Sequence, residues 1–224
     1  MTNLALAAVA FAAMHLLIAG TRTRGILVAR LGERAFLGLF SAASAGVLGW
    51  LIWAYAQVRQ PMLTPLTDLR WLSAVLVLVA FTFIVLGLTT PGPTIVGGAK
   101  LMTREDPARG IHRVTRHPFL WGIALWALVH ALFNQEPANL WFFGTFAFVA
   151  TVGTFSIDAK REAAYGEAWE RYVQLTSNIP FAAIAQRRNR LVLAEIGWFR
   201  LGAALAAYLV LSLLHARFFG LPPF

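Results

Sequence analysis

Long apolar stretches broken by short basic segments dominate the chain. Six runs stand out, at Leu4–Gly20, Ala35–Val58, Trp71–Thr90, Phe119–Asn134, Ala138–Ile157 and Ile196–Phe219. A membrane-crossing helix takes about 20 mostly apolar residues, so four runs reach that length and the first and fourth are somewhat short. None shows the ten-residue alternation of a membrane barrel, and hydrocarbon cannot satisfy an open backbone. The pattern therefore predicts an all-α, polytopic membrane bundle of about six transmembrane helices in one domain, 1–224.

Residues between the runs sharpen this. Pro91-Gly92-Pro93 ends the third run, because proline lacks a backbone donor and restricts its predecessor. Pro118 suits the first turn of the fourth helix and puts His117 near its N-cap. Asp158–Thr176 reads as one cytoplasmic interfacial helix, with Glu167 and Arg171 paired at i, i+4 and a stripe of Tyr165, Trp169 and Tyr172 along the membrane surface. In the second run Gly38, Ala42 and Gly46 form a small-residue ridge that permits close helix approach.

Charge orients the bundle. Segments 21–34, 91–118 and 158–195, with Arg200, carry sixteen Lys and Arg, whereas the other side has only Arg59, Arg70 and Arg217. Cytoplasmic loops carry the positive excess, so both termini are expected in the periplasm of a bacterial inner membrane. The net charge of +9 thus reports topology before it suggests nucleic acid. Met1-Thr2-Asn3 lacks a basic start, so the first run is expected to be retained as a span.

Composition narrows the chemistry. With 58% hydrophobic and 13% charged residues the chain departs from soluble domains, which carry about 25% charge. The absence of cysteine excludes disulfides, thiolate metal sites and thioether-attached haem. No phosphate-binding loop, nucleophile elbow, H-E-x-x-H or EF-hand pattern occurs, which removes support for hydrolase and nucleoside-triphosphatase readings.

Five histidines remain, at 15, 112, 117, 130 and 215. His15, His130 and His215 fall within apolar runs, where ionisable groups are costly and mark function, and imidazole is the commonest metal ligand. An interhelical hydrogen bond is the plainer role for any one of them. At 1.5 Å per residue, His130 and His215 each lie about 6 Å from the outer edge of their runs, while His15 lies about 7 Å from the inner edge. Depth favours pairing His130 with His215, and tilt leaves His15 with His130 open. Arg113 and Arg116, beside a helix N-terminus, are placed to meet haem propionates, a cofactor carboxylate or lipid phosphate.

Three blocks carry a resemblance: Gly32-Glu33-Arg34-Ala35-Phe36 after His15, Gly110 through Pro118, and Tyr165-Gly166-Glu167 through Ser177-Asn178-Ile179-Pro180-Phe181. Together they resemble the NnrU family of bacterial inner-membrane proteins associated with nitrite and nitric oxide reduction. They are also similar to the related cis-zeta-carotene isomerases, which bind haem b and isomerise a polyene. That resemblance implies His15 and His130 as axial iron ligands, with Arg113 and Arg116 near anionic cofactor groups and His117 and Arg116 as catalytic candidates. A further isomerase histidine has Ala56 at its place here. A looser likeness to membrane methyltransferases would set Arg116, His117 and Glu162 around S-adenosylmethionine, with Pro180 closing the motif. A non-enzymatic role in assembling a reductase, with a reductase subunit as partner, is the third expectation.

Overall fold

The computed structural model describes residues 1–58, 69–95, 97–134, 136–220 and 223; Arg59 lies outside them, as does the side chain of Arg22. All six apolar runs are helical. In chain order the helices are α1 (Thr2–Ala13, continued by a π-turn at Met14–Ile18), α2 (Arg22–Leu31), α3 (Glu33–Val58), α4 (Arg70–Thr89), α5 (Pro118–Phe133), α6 (Pro137–Tyr165), α7 (Glu167–Leu175), α8 (Ala182–Ala185) and α9 (Trp198–Phe219). No strand occurs among the described residues.

Helices α3, α4, α6 and α9 are long and apolar enough to cross a membrane. Thr2–Ile18 and Thr23–Leu31, bent by 75°, make a fifth span if counted together. Helix α5 is apolar but only 16 residues long. The chain is thus an all-helical protein of membrane-crossing character.

Three expectations change. Segment 21–34, read as a loop, contains α2, whose short apolar stretch 26–29 lies between arginines and so escapes an apolar-run criterion. Its ends are marked locally, by Thr21 Oγ1 accepting from Thr23 N at 3.2 Å and by Gly32 at φ +80°. Segment 158–176 is two helices, because Gly166 at φ +46° ends α6 and starts α7. The stripe splits accordingly: Tyr165 is exposed, whereas Trp169 and Tyr172 are buried in a protein core. Finally, Gly38, Ala42 and Gly46 are exposed, and a Cβ on Gly38 or Gly46 would meet nothing within 4 Å. The close approach lies between α4 and α5, where a Cβ on Gly87 would sit 2.4 Å from the Phe119 nitrogen and one on Gly122 2.7 Å from Ile84 Cγ1.

The chain divides into two compact units, Met1–Thr67 with Ala127–Ser156, and Asp68–Trp126 with Ile157–Phe224. In the first, α1 packs on α3. Its buried side chains include Leu4, Ala7 and Phe11 of α1, Leu51 and Ala54 of α3, and Phe142 and Phe143 of α6. In the second, α4 packs on α9, and the segment after α4 folds back over Leu86. There Leu86, Ile111, Val114 and Ile196 form one apolar cluster, and Met102, Ala108, Trp169 and Tyr172 form another. Where such side chains leave water, each burial contributes roughly 1.5–3 kcal/mol.

Candidate functional site

The first unit holds two of the three histidines that fall within apolar runs. His15 lies in the π-turn Met14–Ile18, a local widening that often accompanies function. Its Nδ1 lies 2.9 Å from the Phe11 carbonyl, so Nδ1–H donates and Nε2 keeps its lone pair. Ser44 Oγ approaches that Nε2 at 3.3 Å. Phe11 stacks beside the imidazole at 4.2 Å between centroids, and Phe40 meets it edge-on at 5.7 Å.

His130, near the end of α5, stacks on Phe143 at 4.8 Å. A line of rings joins the two histidines: Phe11 to Phe146 at 5.3 Å, Phe146 to Phe142 at 5.2 Å, and Phe142 to Phe143 at 5.1 Å. Tyr55 stacks on Phe142 at 4.3 Å and donates its hydroxyl to Asn139 Oδ1 at 2.5 Å. Histidine and phenylalanine thus form one aromatic cluster.

An imidazole tied through Nδ1–H to a backbone carbonyl keeps Nε2 as its acceptor atom, the form in which histidine can ligate a metal, and the rings beside it are planar and apolar. Among the described residues, no group of three or more His, Asp or Glu side chains could hold a bare metal ion. His215 belongs to the other unit, where it packs against Phe219 at 4.8 Å.

The second unit contains a buried polar knot centred on Asp158, one residue past the apolar run of α6. Its carboxylate accepts from Arg116 Nε at 2.9 Å, Arg116 Nη2 at 2.7 Å, His117 Nε2 at 2.6 Å and Asn178 Nδ2 at 2.9 Å. Because a carboxylate only accepts, His117 carries its proton on Nε2. Burial holds the His117 pKa below the ordinary imidazole value even though the Asp158 hydrogen bond pushes the other way. The Arg116 guanidinium also lies over the Trp169 ring at 5.6 Å. Burial raises the Tyr172 phenol, and among the described residues its hydroxyl has no hydrogen-bond partner.

The backbone closes around this knot. Arg116 N donates to Ser177 O at 3.0 Å, Phe181 N to Val114 O at 2.8 Å, and Trp121 Nε1 to Asn178 O at 2.8 Å. A neighbouring clasp is built on Arg113, which grips Glu195 through Nε at 2.8 Å and Nη2 at 2.9 Å and meets Asp106 at 2.5 Å. Those hydrogen bonds hold the Glu195 carboxyl below its usual range. His112 is fully buried over Gly92, where any Cβ would fall 2.1 Å from its Nε2, and burial lowers its pKa to about 4.

A family model described as NnrU protein matches residues 3–223. The chain belongs to the NnrU family. Similar curated proteins are the chloroplastic 15-cis-zeta-carotene isomerases of Zea mays and Arabidopsis thaliana. The first is 37% identical over 90 residues, covering 37% of this chain, and the second 35% over 88 residues, covering 36%. The match spans 22% of the length of each relative. No solved structure matches.

In this NnrU chain the structure gathers His15 and His130 into one unit, and Arg113, Arg116 and His117 into the other. Glu162, the acidic partner expected near Arg116, is exposed, and Asp158 one turn earlier occupies that place. Sequence reasoning missed Asp158, Asn178 and Glu195. Asp158 was legible in part, as the first acidic residue at the polar end of an apolar run. Asn178 lay inside a recognised block without an assigned role. Glu195 carried no local signal, because its partners Gly110 and Arg113 are more than 80 residues away in sequence.

Proposed function

We propose that this chain is a bacterial inner-membrane haem b protein that isomerises a double bond in a hydrophobic polyene of the carotenoid class. In this reading six helices span the bilayer, both termini are periplasmic and α7 lies near the cytoplasmic interface. The observation that carries the proposal is His15, with Nδ1–H fixed on the Phe11 carbonyl and Nε2 left to the lone weak contact of Ser44, within the ring cluster that also contains His130. The isomerase relatives supply the substrate class.

His15 and His130 would hold the haem. When bound, haem supplies an iron centre able to interact with the electrons of a carbon–carbon double bond. Phe11, Phe142, Phe143 and Phe146 would exclude water and offer faces to a planar conjugated chain. Arg113, Arg116 and His117 then act as positioning residues for the segment between α4 and α5. Contact between Arg113 or Arg116 and anionic cofactor groups, or catalysis by His117 and Arg116, would require Asp106, Glu195 and Asp158 to give way. The same engagement argues against an S-adenosylmethionine site at Arg116 and His117.

A role in nitrite or nitric oxide metabolism would use the same haem, and a non-enzymatic assembly role would take a reductase subunit as partner. The test is incubation of haem-loaded protein with 15-cis-zeta-carotene, with isomers resolved by chromatography. The proposal expects cis-to-trans conversion that His15→Ala and His130→Ala abolish. Haem loading without conversion, together with co-purification of a reductase subunit, would replace the isomerase role.

A further inference from the structure

Arg113 and Arg116 are matched by carboxylates, whereas Arg104 and Arg171, like the exposed Arg30, Arg34, Arg187, Arg190 and Arg217, are not. Among the described residues neither guanidinium has an ion-pair or hydrogen-bond partner. Both line one open cavity of about 430 Å³ in the second unit, with Met102, Pro107 and Leu175 as its apolar lining and Glu105 and Gln174 as its other polar lining. We propose that this cavity binds a phosphate ester borne on an apolar or glycerol-like group, the chemistry of an anionic phospholipid head.

Its two walls are fixed before any ligand arrives. Met102 and Ala108 on one side pack with Trp169 and Tyr172 of α7 in a single core cluster. The C-terminal carbonyls of α7 are tied down by Arg188, whose Nη1 donates to Val173, Gln174 and Thr176 at 2.9, 2.7 and 2.9 Å. Arg171 therefore projects from a pinned helix and Arg104 from a segment anchored through Met102. Guanidinium forks bind oxyanions bidentately, and two of them on one cavity can together engage the several oxygens of a phosphate. Glu105 reduces the local charge to +1, which complements the single negative charge of a phosphodiester. The apolar walls favour a phosphate that carries an organic group.

The site is independent of haem, so its failure leaves the isomerase proposal intact. The test is calorimetric titration of the full chain in maltoside micelles with dihexanoylphosphatidylglycerol, glycerol phosphate and inorganic phosphate. Binding of the phosphatidylglycerol is expected, weakened at least tenfold by the double variant Arg104→Ala/Arg171→Ala and strengthened severalfold by Glu105→Gln. Tighter binding of phosphatidylglycerol than of glycerol phosphate identifies a lipid as the source, and equal binding identifies a free phosphate ester. Both arginines are exposed, so an unchanged unfolding midpoint is expected to accompany the loss. Equal affinity in wild type and double variant, or equal binding of dihexanoylphosphatidylcholine, would overturn the proposal.

Discussion

The two units use histidine in opposite ways. In the first, His15 is bonded to its own helix and set among phenylalanines. In the second, His117 is sealed at 1% side-chain exposure against a carboxylate that also receives Arg116 and Asn178. An imidazole hydrogen-bonded only through Nδ1–H and a weak hydroxyl retains a donor atom for chemistry. An imidazole in a filled charge network is committed to holding three chain segments together. A histidine in apolar surroundings can therefore fill a structural network or keep an acceptor atom open, and only its partners tell the two apart.

The sharpest way to break this contrast is to open the Asp158 knot. Asp158→Ala leaves Arg116 buried without its counter-charge, and breaking a buried pair costs about 3–5 kcal/mol. Denaturant unfolding in detergent should show that loss, with Asp158→Asn milder and Arg116→Met/Asp158→Leu partly restored. A knot that tolerates Asp158→Ala without loss would put its structural role in error.

Acid tests the same unit more gently. His112 has a folded pKa near 4 against an ordinary value of 6.5, so the unfolded chain takes up protons first as pH falls. Its stabilising contribution is complete above about pH 6.5 and lost as pH descends towards 4, amounting to roughly 3 kcal/mol. His117 acts in the same direction. Thermal unfolding followed from pH 7.5 to 4.5 should show the decline, and His112→Gln should flatten it.

Smaller effects mark the scaffold. Gly87→Ala forces a methyl group towards the Phe119 backbone and should cost about 1–3 kcal/mol, read as a lowered unfolding midpoint. Glu33→Gln removes the exposed pair with Arg24 and should change stability by less than about 1 kcal/mol in the same assay.

Much of the architecture was legible because apolar length is a one-dimensional signal: every run from Leu4 to Phe219 is helical, and Pro91 and Pro118 mark real ends. Helix α2 was not, since its apolar stretch 26–29 is short and flanked by arginines, and Thr21 and Gly32 mark only its ends. The burial of Trp169 and Tyr172 was not legible either, because an aromatic stripe looks the same whether it faces lipid or Met102 and Ala108. At the candidate site, His15 and His130 fall in one unit and His215 in the other, a division that depth along an apolar run does not encode. Arg113 and Arg116 looked free for an anion because two of the carboxylates that meet them, Glu195 and Asp158, come from distant sequence, while Asp106, seven residues before Arg113, has no spacing that marks it as a partner.

The most direct measurement is the Soret spectrum of the purified chain loaded with haem b, recorded beside His15→Ala, His130→Ala and His117→Ala. The account predicts a haem b Soret band in the wild type that is lost or shifted by the first two substitutions, with the apoprotein midpoint nearly unchanged. His117→Ala should lower the midpoint and leave the spectrum of the surviving folded protein intact. Unaltered spectra in His15→Ala and His130→Ala, or a spectral change confined to His117→Ala, would contradict it.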